Sequence, residues 1–378
     1  MNKSKVAIVY CRNYEDNVDE KVAKAVELIG GVESIVNKEE NILVKPNVLV
    51  GVEPDKAVTT HPSMMAGMFK LLINEGYNNI TYGDGPGSRN ISIEKAMENA
   101  CLAQTAKEYD IPLGDFSSSV NVPYPQGKIC RDFTLYKAAK DADAIISMCK
   151  MKTHALENIT GAVKNQYGLV YSMHKAAGHA KYPNSKSFAD MLADLDMCVR
   201  PRLYVMDGVI AMEGNGPGSG DPVPMKLILA STDPVALDAT FAKLVYLDPA
   251  FVPTCVSGAN AGLGTMNFDE IELVTSEGPI SLDDAVTKFG NPKFNVKRKK
   301  AVFWKASILM PFRRKKKDKP VVDLEKCIGC GACQEACPVD GKAVHSGHGS
   351  KAVYDYKKCI RCYCCQEMCP VKAISKKG

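Results

Sequence analysis

No stretch of about 18 apolar residues occurs anywhere in this sequence, so no part of it is expected to span a membrane. The first ten residues run straight into a strand-like pattern, Val6 to Tyr10, and lack the apolar core of a secretory leader. Six thiols, Cys11, Cys101, Cys130, Cys149, Cys198 and Cys255, are scattered outside any motif, which points to a reducing cytoplasm. Excess charge is missing too. The formal +5 is local: Lys293 to Lys319 holds twelve Lys/Arg against one acid, a balance of +11 that leaves −6 elsewhere. A mildly acidic chain with one basic connector is not built for nucleic acid. Its glycine loops match neither G-x-G-x-x-G nor G-x4-G-K-S/T, so no nucleotide motif is read. What remains is an ordinary globular composition, 46% hydrophobic and 24% charged, long enough at 378 residues for two or more domains.

Nine of the 15 cysteines crowd into the last 52 residues. They form two runs, Cys327-x2-Cys330-x2-Cys333-x3-Cys337-Pro and Cys359-x2-Cys362-x2-Cys365-x3-Cys369-Pro, each cysteine 32 residues from its counterpart. A cubane iron–sulfur cluster needs four converging thiolates; such a run supplies three, and the fourth comes from the other run's remote Cys-Pro. The spacing therefore assigns Cys327, Cys330, Cys333 and Cys369 to one 4Fe-4S cluster and Cys359, Cys362, Cys365 and Cys337 to a second. A disulfide framework suits short secreted domains, and zinc favours C-x2-C pairs across a long spacer. The tail, 321–378, resembles bacterial-type ferredoxins with two 4Fe-4S clusters, which implies a small α+β fold. Cys364, wedged between two predicted ligands, departs from that pattern; it reads as a bystander, with a redox role left open.

Upstream, apolar β-branched runs alternate with helical periodicity over residues 1–290. This predicts an α/β fold, a largely parallel or mixed sheet with flanking helices. Strands are expected at Val6–Tyr10, Asn41–Val44, Asn79–Tyr82, Ala144–Met148, Leu203–Met206, Lys226–Ala230 and Ile271–Thr275. Helices are expected at Val18–Leu28, from Pro62, and at Asn158–Tyr167, Ser185–Cys198, Pro234–Val245 and Leu282–Lys288. Two loops echo each other, Gly83-Asp-Gly-Pro-Gly-Ser88 and Gly214-Asn-Gly-Pro-Gly-Ser219. A basic connector, 291–320, joins the domains. Its stretch 297–317 sets an apolar dozen between Lys/Arg clusters and reads as a packed strut, a peripheral membrane contact or a docking point for an acidic partner.

Ligands of open α/β sheets bind beyond the carboxyl ends of the strands, and polar residues crowd there. Lys150, Lys152 and His154 follow one strand with a period of two, which would put them on one side of an extended chain. Lys164 and Asn165 follow on a helix. These five are the candidates for chemistry, because ammonium and imidazole donors near helix starts suit an anion or charge developing on a substrate oxygen. Lys45, Asn47, Asp84, Asp207, Glu213 and Asn215 stand at neighbouring strand ends and are the candidates for holding a ligand. Singly, each also fits a capping or surface role.

The combination Lys45-Pro-Asn47, Thr59-Thr-His-Pro62, Gly83-Asp-Gly-Pro-Gly87, Lys150-Met-Lys-Thr-His154, Thr160-Gly-Ala-Val-Lys-Asn165, Met212-Glu-Gly-Asn-Gly-Pro217 and Asp233-Pro-Val-Ala-Leu-Asp238 resembles the domain of unknown function 362. That family's α/β domain is often joined to a ferredoxin-type tail, and the resemblance implies a fold and a site but no reaction. Three functions stay open. The clusters, fed by a soluble carrier of ferredoxin or flavodoxin type, pass electrons to a substrate or cofactor held in a Lys/His-lined cleft. Alternatively the protein is an electron carrier or adaptor without turnover, or a metal- or cofactor-binding protein with structural or sensory clusters.

Overall fold

The computed structural model describes residues 3–87, 91–298 and 318–377. The predicted basic segment 297–317 lies almost wholly outside them. The main sheet has nine strands: β1 Ser4–Tyr10, β2 Ile42–Lys45, β3 Ile80–Tyr82, β4 Ala144–His154, β5 Asn158–Thr160, β6 Leu203–Glu213, β7 Asp221–Ser231, β8 Ile271–Thr275 and β9 Gly278–Ile280. The order is β9-β8-β1-β7-β6-β4-β2-β3, with β5 folded back on β4. Strands β3, β2, β4 and β6 run parallel, and so do β1 and β8. β7 opposes both of its neighbours, so the sheet is mixed.

Alternation along the strands explains the three layers. Val6, Ile8, Leu43, Ile145, Cys149 and Met151 enter one core with helices Ser185–Val199 and Pro234–Leu244. Ala7, Val9, Ile42, Val44, Ile146 and Met148 enter the other, against helices Val18–Leu28 and Pro62–Asn74. All eleven residues of β4 are buried, as a central strand covered on both faces requires.

Two expectations are corrected. β4, β6 and β7 are each eleven residues long, so the predicted site residues from Lys150 to His154 lie in the strand rather than beyond it. The helix expected over 158–167 is a strand, β5, followed by a short helix at Ala162–Asn165 and a 3-10 turn at Gln166–Leu169. The reason is Asp238, whose carboxylate accepts the amides of Ala162 (2.6 Å) and Val163 (3.2 Å) and fixes the helix start there. Gly161 makes room for it, since a Cβ would sit 2.1 Å from Asp238 Oδ1. Thr160 pairs with Lys152 across the strands.

The tail pairs Lys319–Val322 with Ile374–Lys377 and Val344–Gly347 with Ser350–Tyr354, each antiparallel. Short helices Ala332–Glu335 and Cys364–Glu367 carry a cysteine or two apiece. The two runs fold alike: Gly329 and Gly331 have φ of 66° and 83°, and their counterparts Arg361 and Tyr363 have 63° and 66°. Glycine is demanded at 329, where a Cβ would stand 2.4 Å from the Gly349 backbone.

Candidate functional site

The tail and the α/β domain meet at the loop after β6. Gln366, fully buried between Cys365 and Glu367, donates through Nε2 to Asn215 O (2.7 Å), Asn215 Oδ1 (3.1 Å) and Gly216 O (3.1 Å). Asn215 Nδ2 donates to Ile374 O at 2.9 Å, and Lys372 donates to Gly220 O at 2.6 Å. Lys376 reaches Ala155 O. At Gly218 a Cβ would be 2.8 Å from Glu367 O, so the backbones touch. The second glycine loop, read from sequence only as an echo, is thus the seat of the tail's second cysteine run.

Beside this seat opens a cleft of about 1230 Å³. One wall is the α/β domain, with Asn47, Asp84, Lys164, Asn165, Lys175 and His179. The other is the tail, with Ala332, Ala336, Cys364, Glu367, Met368 and Cys369. Of the five residues proposed for chemistry, Lys164 and Asn165 line the cleft; of the six proposed for ligand binding, Asn47 and Asp84 do.

The others stand behind it. Lys152 donates to Asn47 Oδ1 (2.6 Å) and Val58 O (2.9 Å), one hydrogen bond from the lining. Asn47 Nδ2 and Lys45 Nζ both donate to Asn165 Oδ1, at 3.1 and 3.2 Å. Lys45 also pairs with Asp84 at 2.8 Å. One network therefore ties β2, β4 and the Ala162–Asn165 helix. His154 Nδ1 accepts the amides of Leu156 and Glu157, both at 3.1 Å, so the ring is a neutral Nε2–H tautomer. Its Nε2 lies 3.0 Å from Glu367 Oε1, off the line of a hydrogen bond. Burial pushes His154 down to about 4, and His179 likewise.

Lys150 lies elsewhere. It pairs with Asp207 at 2.7 Å and donates to Tyr14 Oη at 2.9 Å, within a buried group where His61 stacks on Tyr14 at 3.5 Å. Glu213 accepts the amide of Asn295 (2.7 Å), and Asn215 serves the domain seat. The residue sequence reasoning passed over is Lys175, on the helix Ser172–Lys181; it donates to Gly85 O (2.7 Å) and Pro86 O (3.1 Å). Its signal was a lysine four residues before His179, too common a spacing to single out.

A small second cavity is lined by Cys337, Cys359, Cys362 and Cys365 with Val339, Val344, Tyr354 and Ile360. The remote Cys337 thus joins the run 359–365. Cys365 Sγ accepts from Tyr354 Oη (3.2 Å), Cys337 Sγ from Ala343 N (3.3 Å), Cys327 Sγ from Ala352 N (3.4 Å) and Cys369 Sγ from Ala373 N (3.2 Å). Sulfurs turned to amide and hydroxyl donors in an apolar shell are the surroundings a ligated thiolate needs. Among the described residues no three His, Cys, Asp or Glu are grouped to hold a single metal ion; Cys337, Cys359, Cys362 and Cys365 line the small cavity. Cys364 is buried and part of the cleft wall.

No helix among the described residues is long and apolar enough to cross a membrane. The tail matches the model of a 4Fe-4S dicluster domain over residues 319–370 and is a 4Fe-4S binding domain. A thylakoid-associated protein of Synechocystis sp. is 32% identical over 245 residues, covering 63% of this chain and 73% of that one. Among solved structures, the lactate racemase apoprotein of Thermoanaerobacterium thermosaccharolyticum is similar with a TM-score of 0.43 at 11% identity, over 63% of this chain and 56% of that one. A Thermotoga maritima protein gives 0.36 at 13%, over 66% and 59%. The chain spans a little over half the length of these two solved proteins. Residues 42–243 match the model of the domain of unknown function DUF362, and the chain belongs to that family.

Proposed function

We propose that this protein is an iron–sulfur oxidoreductase in which two 4Fe-4S clusters exchange electrons with a small molecule bound between the α/β domain, 1–290, and the tail, 321–378. Cys327, Cys330, Cys333 and Cys369 would hold one cluster, and Cys359, Cys362, Cys365 and Cys337 the other. The observation that carries the reading is the composition of one cleft: Lys164, Asn165 and His179 face it from one domain, and Cys369 and Cys364 from the other. When bound, the clusters supply electrons singly.

The chain's own residues then have distinct tasks. Gln366 and Asn215 hold the second cysteine run against the α/β domain, so the tail wall keeps its distance from the opposite lysines. The Lys45–Asp84 pair and the Asn47–Asn165 bond fix the floor of the cleft. Lys164, half-buried, offers an ammonium to a bound molecule. His154, locked as the Nε2–H tautomer, is a poor proton shuttle. An electron carrier of ferredoxin or flavodoxin type would serve as partner.

Anaerobically purified protein should contain about eight irons per chain and show two reducible centres by electron paramagnetic resonance. Cys330→Ala and Cys362→Ala should each remove one centre. About four irons in the wild type, or both centres lost with either variant, would sink the two-cluster assignment.

A further inference from the structure

A buried charge is costly unless an opposite charge or good hydrogen bonds offset it. Four lysines stand at or just behind the inner end of the cleft, and one of them has a carboxylate: Lys45 pairs with Asp84. Lys152 has the amide oxygen of Asn47 and the carbonyl of Val58; Lys175 has two carbonyls. Among the described residues Lys164 has only the face of Tyr167, 5.9 Å from its Nζ to the ring centroid.

The nearby carboxylates do not close this gap. Asp84 is taken by Lys45, and Glu367, pushed down to about 2 against its burial by His154, Lys164 and His179, is one carboxylate facing the three amines of Lys152, Lys164 and Lys175. Glu157 is fully buried with neither carboxyl oxygen partnered, and burial pushes it up to about 8, so it is neutral near pH 7. Other buried polar atoms here also lack partners: Thr160 Oγ1 and His179 Nδ1. Lys164 acts electrostatically on His154, Glu157, His179 and Glu367 alike, which places it in the middle of the group. An excess of positive charge at one end of a large cleft thus stands close to orphaned polar atoms, of which His179 Nδ1 belongs to the lining. Its lining also carries apolar residues, Leu49, Val50, Val52, Ile91 and Met368, beside the charged Glu53, Lys56, Glu335, Lys342 and Lys372.

From this arrangement we infer the substrate class: an organic oxyanion, carboxylate or phosphate, whose charged head lies on Lys164, with Lys175 in the same wall and Lys152 behind it, and whose apolar body lies along the Leu49–Val52 side of the cleft. The inference rests on the cleft being the binding site proposed above. One consequence is proton uptake on binding. Burial lowers Lys152 and Lys175 to about 7 each. Lys152 feels Lys164, Glu367, Lys150 and Asp84, and Lys175 feels Asp84, Lys45, Lys164 and the Tyr136 ring 5.4 Å away. An arriving anion raises both groups, so protons are drawn from solvent near pH 7.5.

The test is anaerobic titration calorimetry on the oxidised holoprotein with benzoate, phenyl phosphate, benzamide and inorganic phosphate. At least one of the two aromatic anions should bind about tenfold or more tighter than neutral benzamide, as expected for a charge-assisted contact, and more tightly than inorganic phosphate. Which anion wins separates carboxylate from phosphate. Heats measured in buffers of different ionisation enthalpy should show proton uptake at pH 7.5. Lys164→Ala should cost about tenfold in affinity, with recovery in Lys164→Arg. Equal binding of benzamide, no binding of either aromatic anion, or undiminished affinity in Lys164→Ala with unchanged cluster absorbance would overturn the inference; absence of proton uptake in the wild type does so even where the variant fails to fold. Binding without electron exchange would leave the inference standing and remove the proposed function. Electron exchange with neutral molecules alone would do the reverse.

Discussion

Gln366→Leu probes the joint on which the cleft depends. The side chain is fully buried, and its amide serves three acceptors on the α/β domain: Asn215 O, Asn215 Oδ1 and Gly216 O. Leucine fills a similar volume but leaves those oxygens without a donor. Each buried orphan costs about 1–3 kcal/mol, less where water enters, so the joint should weaken by roughly 2–4 kcal/mol. At about 1.4 kcal/mol per decade, opening of the joint becomes between about 30-fold and several hundred-fold more frequent. Hydrogen exchange of the amides in 214–220 and 364–372 reads that directly, because local opening governs their protection. The expected result is faster exchange confined to those two segments. Since residue 366 adjoins predicted cluster ligands, Asn215→Ala is the companion: it removes the 2.9 Å bond to Ile374 O from the opposite side. Protection unchanged within about threefold in both variants, with cluster absorbance intact, would refute the claim that these bonds hold the wall.

Acid should destabilise the fold through its buried histidines. His154 and His179 are pushed from 6.5 to about 4, so below pH 6.5 the unfolded chain takes protons the folded one refuses. The histidine contribution is complete above that pH and falls towards pH 4, by about 2 kcal/mol per histidine at pH 5 in urea denaturation; His61 is pushed down to about 4 as well, so His179→Phe should remove about a third of the loss. Gly168→Ala should cost several kcal/mol, because its Cβ would stand 1.8 Å from Asp84 Oδ1 and break the buried pair with Lys45. Lys150→Met should cost roughly 3–5 kcal/mol by stranding Asp207, and adding Asp207→Leu should recover most of it. Thermal or chemical unfolding checks both.

The layered α/β fold was legible because β-branched runs alternate with helical periodicity along residues 1–290. Spacing alone named the cysteines. The site was harder. Lys150 and Lys152 stand two apart on one strand, yet one answers to Asp207 and the other to Asn47, and only tertiary partners tell them apart. The short helix at 162 was illegible because Asp238, 76 residues away in sequence, decides where it begins. Glu213 and Asn215 looked like ligand residues since strand ends attract both ligands and docking segments; the tail took the second glycine loop. That the tail forms one wall of the cleft was written in no local pattern.

The central claim is that electrons from the tail reach a molecule held at Lys164. Stopped-flow reoxidation of the reduced protein, mixed anaerobically with a panel of aromatic and aliphatic oxyanions, tests it most directly. The account predicts that at least one accelerates reoxidation, and that Lys164→Ala abolishes the acceleration while leaving the reduced-cluster spectrum unchanged. Reoxidation that no member of the panel accelerates, or that proceeds equally fast in Lys164→Ala, would contradict it.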